Sequence, residues 1–249
     1  MPIWRWLVTP PADGATNMAV DVALAEAVRA GAPPAVRLYA WSPPCLSLGR
    51  HQASAEVDRA ALAAAGVGLV RRPTGGAAVL HDEELTYAVV VPARALGGPR
   101  VAYRAVHAAL AAGLRRLGVP AELRDAGAAV RPSGACFAQT APGEIVVAGR
   151  KLLGSAQAYL GGVLLQHGSL PLAPSPRAAA FFDFRTLGTT LAETLGRPTP
   201  WDELVAALRA GFEEVLSVRL RDATLTPAEA AAAARLRSRF AHVDAAWHA

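Results

Sequence analysis

Residues Ala135 to Leu170 read ACFAQTAPGEIVVAGRKLLGSAQAYLGGVLLQHGSL. Ile145 to Ala148 and Leu152 to Leu160 are apolar runs on either side of a tight Gly149-Arg150 turn, the pattern of a β-hairpin. Gly162 to Gln166 adds a third strand just before His167. Strands that follow one another through short glycine turns pair antiparallel, so this stretch commits the chain to a sheet assembled from neighbours.

The same stretch carries distinctive chemistry. Lys151 is the one lysine among 25 Lys and Arg side chains, and Cys136 is one of two cysteines. Lysine and arginine serve a surface alike, but only the amine is a compact charge with a readily moved pKa. A free thiol, with a pKa of about 8.5, is a weak nucleophile that a neighbouring ammonium activates. Lys151 lies past the hairpin turn and Cys136 before its first strand, so the two meet only if Phe137 to Gly143 folds back over the sheet.

Further out, Thr16 to Ala30 predicts a helix capped by Thr16 or Asn17 and stopped by Gly31. Val36 to Tyr39 and Leu46 to Leu48 predict short strands around Pro43-Pro44, Glu56 to Ala65 a helix, and Gly68 to Arg71 a strand. In RRPTGGAAVLHDEELTYAVVVP, from Arg71 to Pro92, a turn over Pro73 to Gly76 separates apolar runs, and Leu85 to Val91 reads as a buried central strand. The Gly75-Gly76 pair lets backbone N–H groups approach an anion or a carbonyl, although a plain turn with solvated arginines explains it as well. Arg100 to Leu117 predicts a long helix in which His107 reads as filler. Helices follow over Thr189 to Leu195, Trp201 to Val218 and Pro227 to Trp247. The pattern is α+β, a mixed and largely antiparallel sheet flanked by helices. No repeat or linker divides the chain, which predicts one domain over residues 1–249.

Composition narrows the class of function. With 53% hydrophobic and 18% charged residues the chain is globular and not disordered. No apolar run suits a signal peptide or membrane span, which places the protein in the cytoplasm with free thiols. The net charge of +5 comes from dispersed arginines without interleaved aromatics, which disfavours nucleic acid and suits an acidic protein partner. The six histidines are scattered, with no metal-ligand spacing.

Five segments, NMAVDVAL, LYAWSPPCLSLGRHQ, RRPTGGAAVLHDEELTYAVVV, GEIVVAGRKLLGSAQ and GVLLQHGSLPL, fall in family order between residue 17 and about 172. In them the chain resembles the biotin/lipoate protein ligase superfamily. It is most similar to the LipM-type octanoyl-acyl-carrier-protein:protein N-octanoyltransferases, whose cysteine sits in an ACF-like segment upstream of the GRK hairpin, where Ala135-Cys136-Phe137 stands. The resemblance implies that Cys136 takes octanoyl from an acyl carrier protein as a thioester. A lysine of a lipoyl-accepting protein, a glycine cleavage H protein or a 2-oxoacid dehydrogenase lipoyl domain, then attacks it. Lys151 tunes the thiol and grips the carbonyl.

It further implies that Arg72, Thr74, Gly75, Gly76 and His81 line the acyl pocket, with Gly154, Ser155, Ala156, His167 and Gly168 leaving a tunnel for the chain. His81 reads equally well as a core histidine. Neither ATP nor metal is expected, and a monomer is. Cys45, in place of a small family residue, reads as a buried bystander, and Glu83-Glu84 as without consequence. Three alternatives remain at this point: an ATP-dependent lipoate-protein ligase, an octanoyl amidotransferase between lipoyl-bearing proteins, and a non-catalytic acyl- or carrier-binding module. Against the ligase, the chain is expected to lack the accessory domain that many such ligases carry, although some supply it as a separate protein.

Overall fold

A computed structural model describes residues 1–55, 57–124, 142–178, 181 and 188–243. The hairpin is β8 (Ile145–Val147) and β9 (Arg150–Leu160), and its turn is Ala148-Gly149, one residue earlier than predicted. Both turn residues have positive φ, +48° and +76°, the requirement of the two-residue turn whose twist matches that of the strands. After Gly161-Gly162, β10 (Val163–Pro171) runs beyond the predicted end at Gln166, because it is held on both sides. It pairs antiparallel with β9 and with β6 (Glu84–Pro92).

Three strands escape a reading of apolar runs. β1 (Ile3–Val8) and β11 (Arg219–Asp222) pair with each other in parallel, and β1 also pairs in parallel with β2 (Ala35–Tyr39). With β7 (Glu122–Leu123), the main sheet has eight strands in the order β11-β1-β2-β6-β10-β9-β8-β7. A second sheet has β3 (Cys45–Leu48) between parallel β4 (Gly68–Arg71) and antiparallel β5 (Val79–His81). The architecture is the expected mixed, largely antiparallel one.

Helices cover both faces of the main sheet. α1 (Gly14–Arg29) and α6 (Pro227–Ala241) pack together over one apolar cluster that includes Leu7, Met18, Tyr39, Val90 and Phe240. α3 (Pro99–Arg116) and α5 (Trp201–Leu216) cover the other with Trp6, Val89, Leu110, Leu152 and Phe212. A Cβ on Gly113 would stand 2.8 Å from the Ala207 carbonyl, and one on Gly211 2.3 Å from that of Ala109. Those two glycines let α3 and α5 cross nearly backbone to backbone. The cap of α1 is Asp13, not Thr16 or Asn17, and accepts from the Thr16 N–H at 2.8 Å. Asn17 is fully buried instead and donates to the carbonyls of Ala12 and Ala40. α2 (Arg59–Ala64) begins later than predicted because Asp58 caps it. α4 (Leu191–Leu195) starts on a capping box from Thr190 and Glu193. No helix among the described residues is long and apolar enough to cross a membrane.

Candidate active site

Sheet register builds the site. Ser155 of β9 pairs with Gly168 of β10, which pairs with Tyr87 of β6. Gly168 has no side chain, so the flanking residues meet across it and the Tyr87 hydroxyl lies 2.7 Å from Ser155 Oγ. A Cβ at Gly168 would come within 2.3 Å of that oxygen and 2.6 Å of Tyr87 Cε1. Gly168→Ala is therefore expected to break the Ser155–Tyr87 contact and destabilise the fold by about 1–3 kcal/mol, the usual cost of overpacking. A lowered urea midpoint together with slowed catalysis would show it.

The next row along the sheet faces α1. There Arg37, Ala88 and His167 lie side by side, and Asp21 of α1 reaches both Arg37 and His167. Its carboxylate accepts from Arg37 Nη1 at 2.7 Å, from the Tyr39 hydroxyl at 2.9 Å and from His167 Nδ1 at 3.1 Å. Burial alone would raise the Asp21 pKa, but the His167 hydrogen bond and the Arg37 charge outweigh it, and the group lies below the ordinary value. With its Nδ1 proton given to Asp21, His167 accepts at Nε2 from the Thr74 hydroxyl at 2.7 Å. This ties the Thr74-Gly75-Gly76 turn to the sheet.

A parallel arrangement fixes His81, which stacks on Trp41 at 3.9 Å between ring centroids. Its Nδ1 contacts Glu84 at 2.8 Å and its Nε2 contacts Ser47 Oγ at 2.7 Å. Glu84 also accepts from the hydroxyls of Thr86 and Ser169, so it has a consequence that the sequence did not suggest. Arg72, buried, donates to the Ser47, Gly75 and Ala77 carbonyls and holds the glycine turn from within.

Between these networks runs an apolar cavity. Eight of the residues expected at the pocket line it: Arg72, Gly76, His81, Gly154, Ser155, Ala156, His167 and Gly168. Thr74 is fully buried behind His167, and Gly75 gives its carbonyl to Arg72. Lys151 does not line the cavity. It is buried, with Nζ 2.7 Å from Glu144 Oε1. Cys136 lies outside the described residues, which stop at Arg124 and resume at Pro142. The two ends are bound to each other, Arg124 N–H to the Glu144 carbonyl at 2.9 Å and Gly143 N–H to the Arg124 carbonyl at 2.8 Å. The described residues Arg124 and Gly143 thus meet at the backbone of Glu144, whose side chain pairs with Lys151.

His107, read as filler, is at the site. It is fully buried on α3, packs on Tyr103, and stands 2.7 Å from Ser155 Oγ and 2.6 Å from the Gly143 carbonyl. Burial, with a smaller effect of the Lys151 charge, pushes its pKa down to about 4, so the ring is neutral at pH 7. Asp21, Glu84, His107 and Glu144 are the residues that sequence reasoning missed. Asp21 and His107 left a trace, each a polar residue within the buried face of a helix.

The chain is similar in sequence and fold to known proteins. A lipoyl protein ligase A/B catalytic domain model matches residues 13–213. The octanoyltransferase LipM of Symbiobacterium thermophilum is 42% identical over 91% of both chains. That of Kyrpidia tusciae is 40% identical over 96% of this chain and 97% of its own. Among solved structures, a lipoate-protein ligase A bound with ATP superposes with a TM-score of 0.82 over 96% of this chain and 95% of its own, at 24% identity, a likeness of fold. By sequence along nearly its whole length and by fold, this chain belongs to the lipoyl protein ligase A/B catalytic domain family.

Proposed function

We propose that the protein is an octanoyltransferase of lipoate biosynthesis that moves octanoyl from an acyl carrier protein to a lysine of a lipoyl-accepting protein through a thioester on Cys136. The observation that carries this reading is the similarity, over more than nine-tenths of both chains, to octanoyltransferases named LipM. The apolar cavity walled by the small residues Gly154, Ala156 and Gly168 has the chemistry of an acyl site.

In the proposed reaction the Cys136 thiolate attacks the octanoyl carbonyl and the carrier thiol leaves with a proton. The amine of the acceptor lysine then attacks the enzyme thioester, its proton passes to the departing Cys136 sulfur, and an amide forms. The incoming thioester supplies the activation, so no nucleotide is consumed. Lys151, oriented by Glu144, supplies the positive charge that favours the thiolate and the developing oxyanion. The acceptor is a glycine cleavage H protein or a 2-oxoacid dehydrogenase lipoyl domain.

The test uses octanoyl-acyl carrier protein and an H protein without ATP. An octanoyl amide on the acceptor lysine is expected, and free octanoate with ATP is expected to give none. The opposite pattern would assign the chain to ATP-dependent ligation.

A further inference from the structure

Residues 85–121 contain five arginines and no acidic residue. Three of them, Arg94, Arg100 and Arg104, are exposed around the first turns of α3, and none makes an ion pair among the described residues. Several other surface arginines have carboxylate partners, among them Arg116 with Glu214, Arg197 with Glu203 and Arg235 with Glu26. The helix gains nothing from the unpaired charges. Its N-terminal end is itself positive, Gly98 offers no side-chain cap, and cations are disfavoured there.

The same surface exposes apolar side chains. Val101 of α3 is 58% exposed and Tyr159 of β9 is 41% exposed. Gln157 donates to the Pro99 carbonyl at 3.2 Å, and Tyr159 lies two residues further on the same face of β9, beside the start of the helix. The Ala93 N–H donates to the Gly162 carbonyl at 2.9 Å, which brings Arg94 to the turn at the end of β9. Apolar side chains among unpaired arginines are the makeup of a protein-docking surface, and the sign of the charge requires an acidic partner.

Position decides which partner. Gly154, Ser155 and Ala156 line the cavity, and the Tyr103 hydroxyl donates to the Ser155 carbonyl at 3.4 Å, so the patch adjoins the β9 wall of the cavity from the α3 side. At ~3.3 Å per residue, Tyr159 stands about 13 Å along the strand from Ser155. An acceptor must place its own lysine at the acyl group, and that side chain is too short to cross such a gap. A carrier delivers its acyl group on a long flexible prosthetic arm, which spans it.

We propose that Arg94, Arg100 and Arg104, with Val101 and Tyr159, form the docking surface for the acidic acyl carrier protein that donates the acyl group. The inference rests on the transferase reading above. Carboxylates of the carrier meet the arginines while its arm reaches along β9 to the cavity, so donor and acceptor use different surfaces.

The opposite edge of the sheet supplies the control. Arg219 and Arg221 are also exposed and unpaired among the described residues, but β11 lies five strands from β9. The double variants Arg100→Glu/Arg104→Glu and Arg219→Glu/Arg221→Glu change the net charge equally. Fluorescence anisotropy reads the binding of holo-acyl carrier protein, without octanoyl, to the native enzyme and to each. The first variant is expected to bind about 10- to 100-fold more weakly, with a flatter salt dependence, and the second to lose less than about threefold. The urea midpoint of the first is expected to hold or rise, since glutamate suits the start of a helix. Equal affinity in the native and Arg100→Glu/Arg104→Glu enzymes, an equal loss in the β11 variant, or no carrier binding at all overturns the inference. A loss confined to binding of an H protein overturns it too. Carrier binding that depends on Arg100 and Arg104 but yields no octanoyl transfer keeps the docking surface and overturns the transferase reading instead.

Discussion

Cys136→Ser is expected to lower octanoyl transfer at least about 1,000-fold while leaving the protein folded, because a serine hydroxyl is a far poorer nucleophile than a thiolate. The second cysteine provides the contrast. Cys45 is buried where α1 meets β3, so close that a Cβ on Gly14 would lie 2.5 Å from its sulfur. Burial pushes its thiol up to about 12, with Asp13 and Glu84 adding to the effect. It stays protonated at neutral pH, and Cys45→Ala is expected to retain most of the transfer. Rates of amide formation on an H protein for both variants separate the roles. A Cys136→Ser enzyme with a native rate would remove the thioester from the mechanism.

Asp21→Ala is expected to destabilise the protein by about 3–5 kcal/mol, the usual cost of stripping one partner from a buried ion pair. Arg37 is only 1% exposed, and without Asp21 its guanidinium would keep the Asn17 carbonyl and amide oxygens and the Tyr39 ring face but no anion. Tyr39 and His167 would lose their acceptor in the same change. The loss also frees His167, and through it Thr74, so the glycine turn should loosen along with the fold. Urea unfolding monitored by Trp fluorescence reads the difference. A loss below about 1 kcal/mol would mean that the Asp21 cluster does not hold the sheet to α1.

How far these features were legible depended on whether their partners lie nearby in the chain. The β8–β9–β10 order could be read because each strand pairs with the next through a glycine turn. β11 could not, since Leu220 is the one apolar residue of Arg219–Asp222 and its pairing partner is the N-terminal strand. In β1, Arg5 interrupts the apolar run, and its charge is met by Glu229 on α6 at 2.6 Å, a partner that no local pattern names. The pocket residues were recognisable as motifs, but the groups that orient them were not. Glu84 stands three residues after His81 and reads as solvated until the strands fold over it, and Asp21 meets His167 across 146 positions. His107 looks like any polar residue on a helix until β9 brings Ser155 against it.

A covalent acyl-enzyme on Cys136 is visible to intact mass spectrometry. After the protein is mixed with octanoyl-acyl carrier protein in the absence of ATP, its mass should rise by one octanoyl group. Peptide mapping should place that group on Cys136, and adding an H protein should discharge it. No adduct, or an adduct on any other residue, would rule out transfer through a Cys136 thioester.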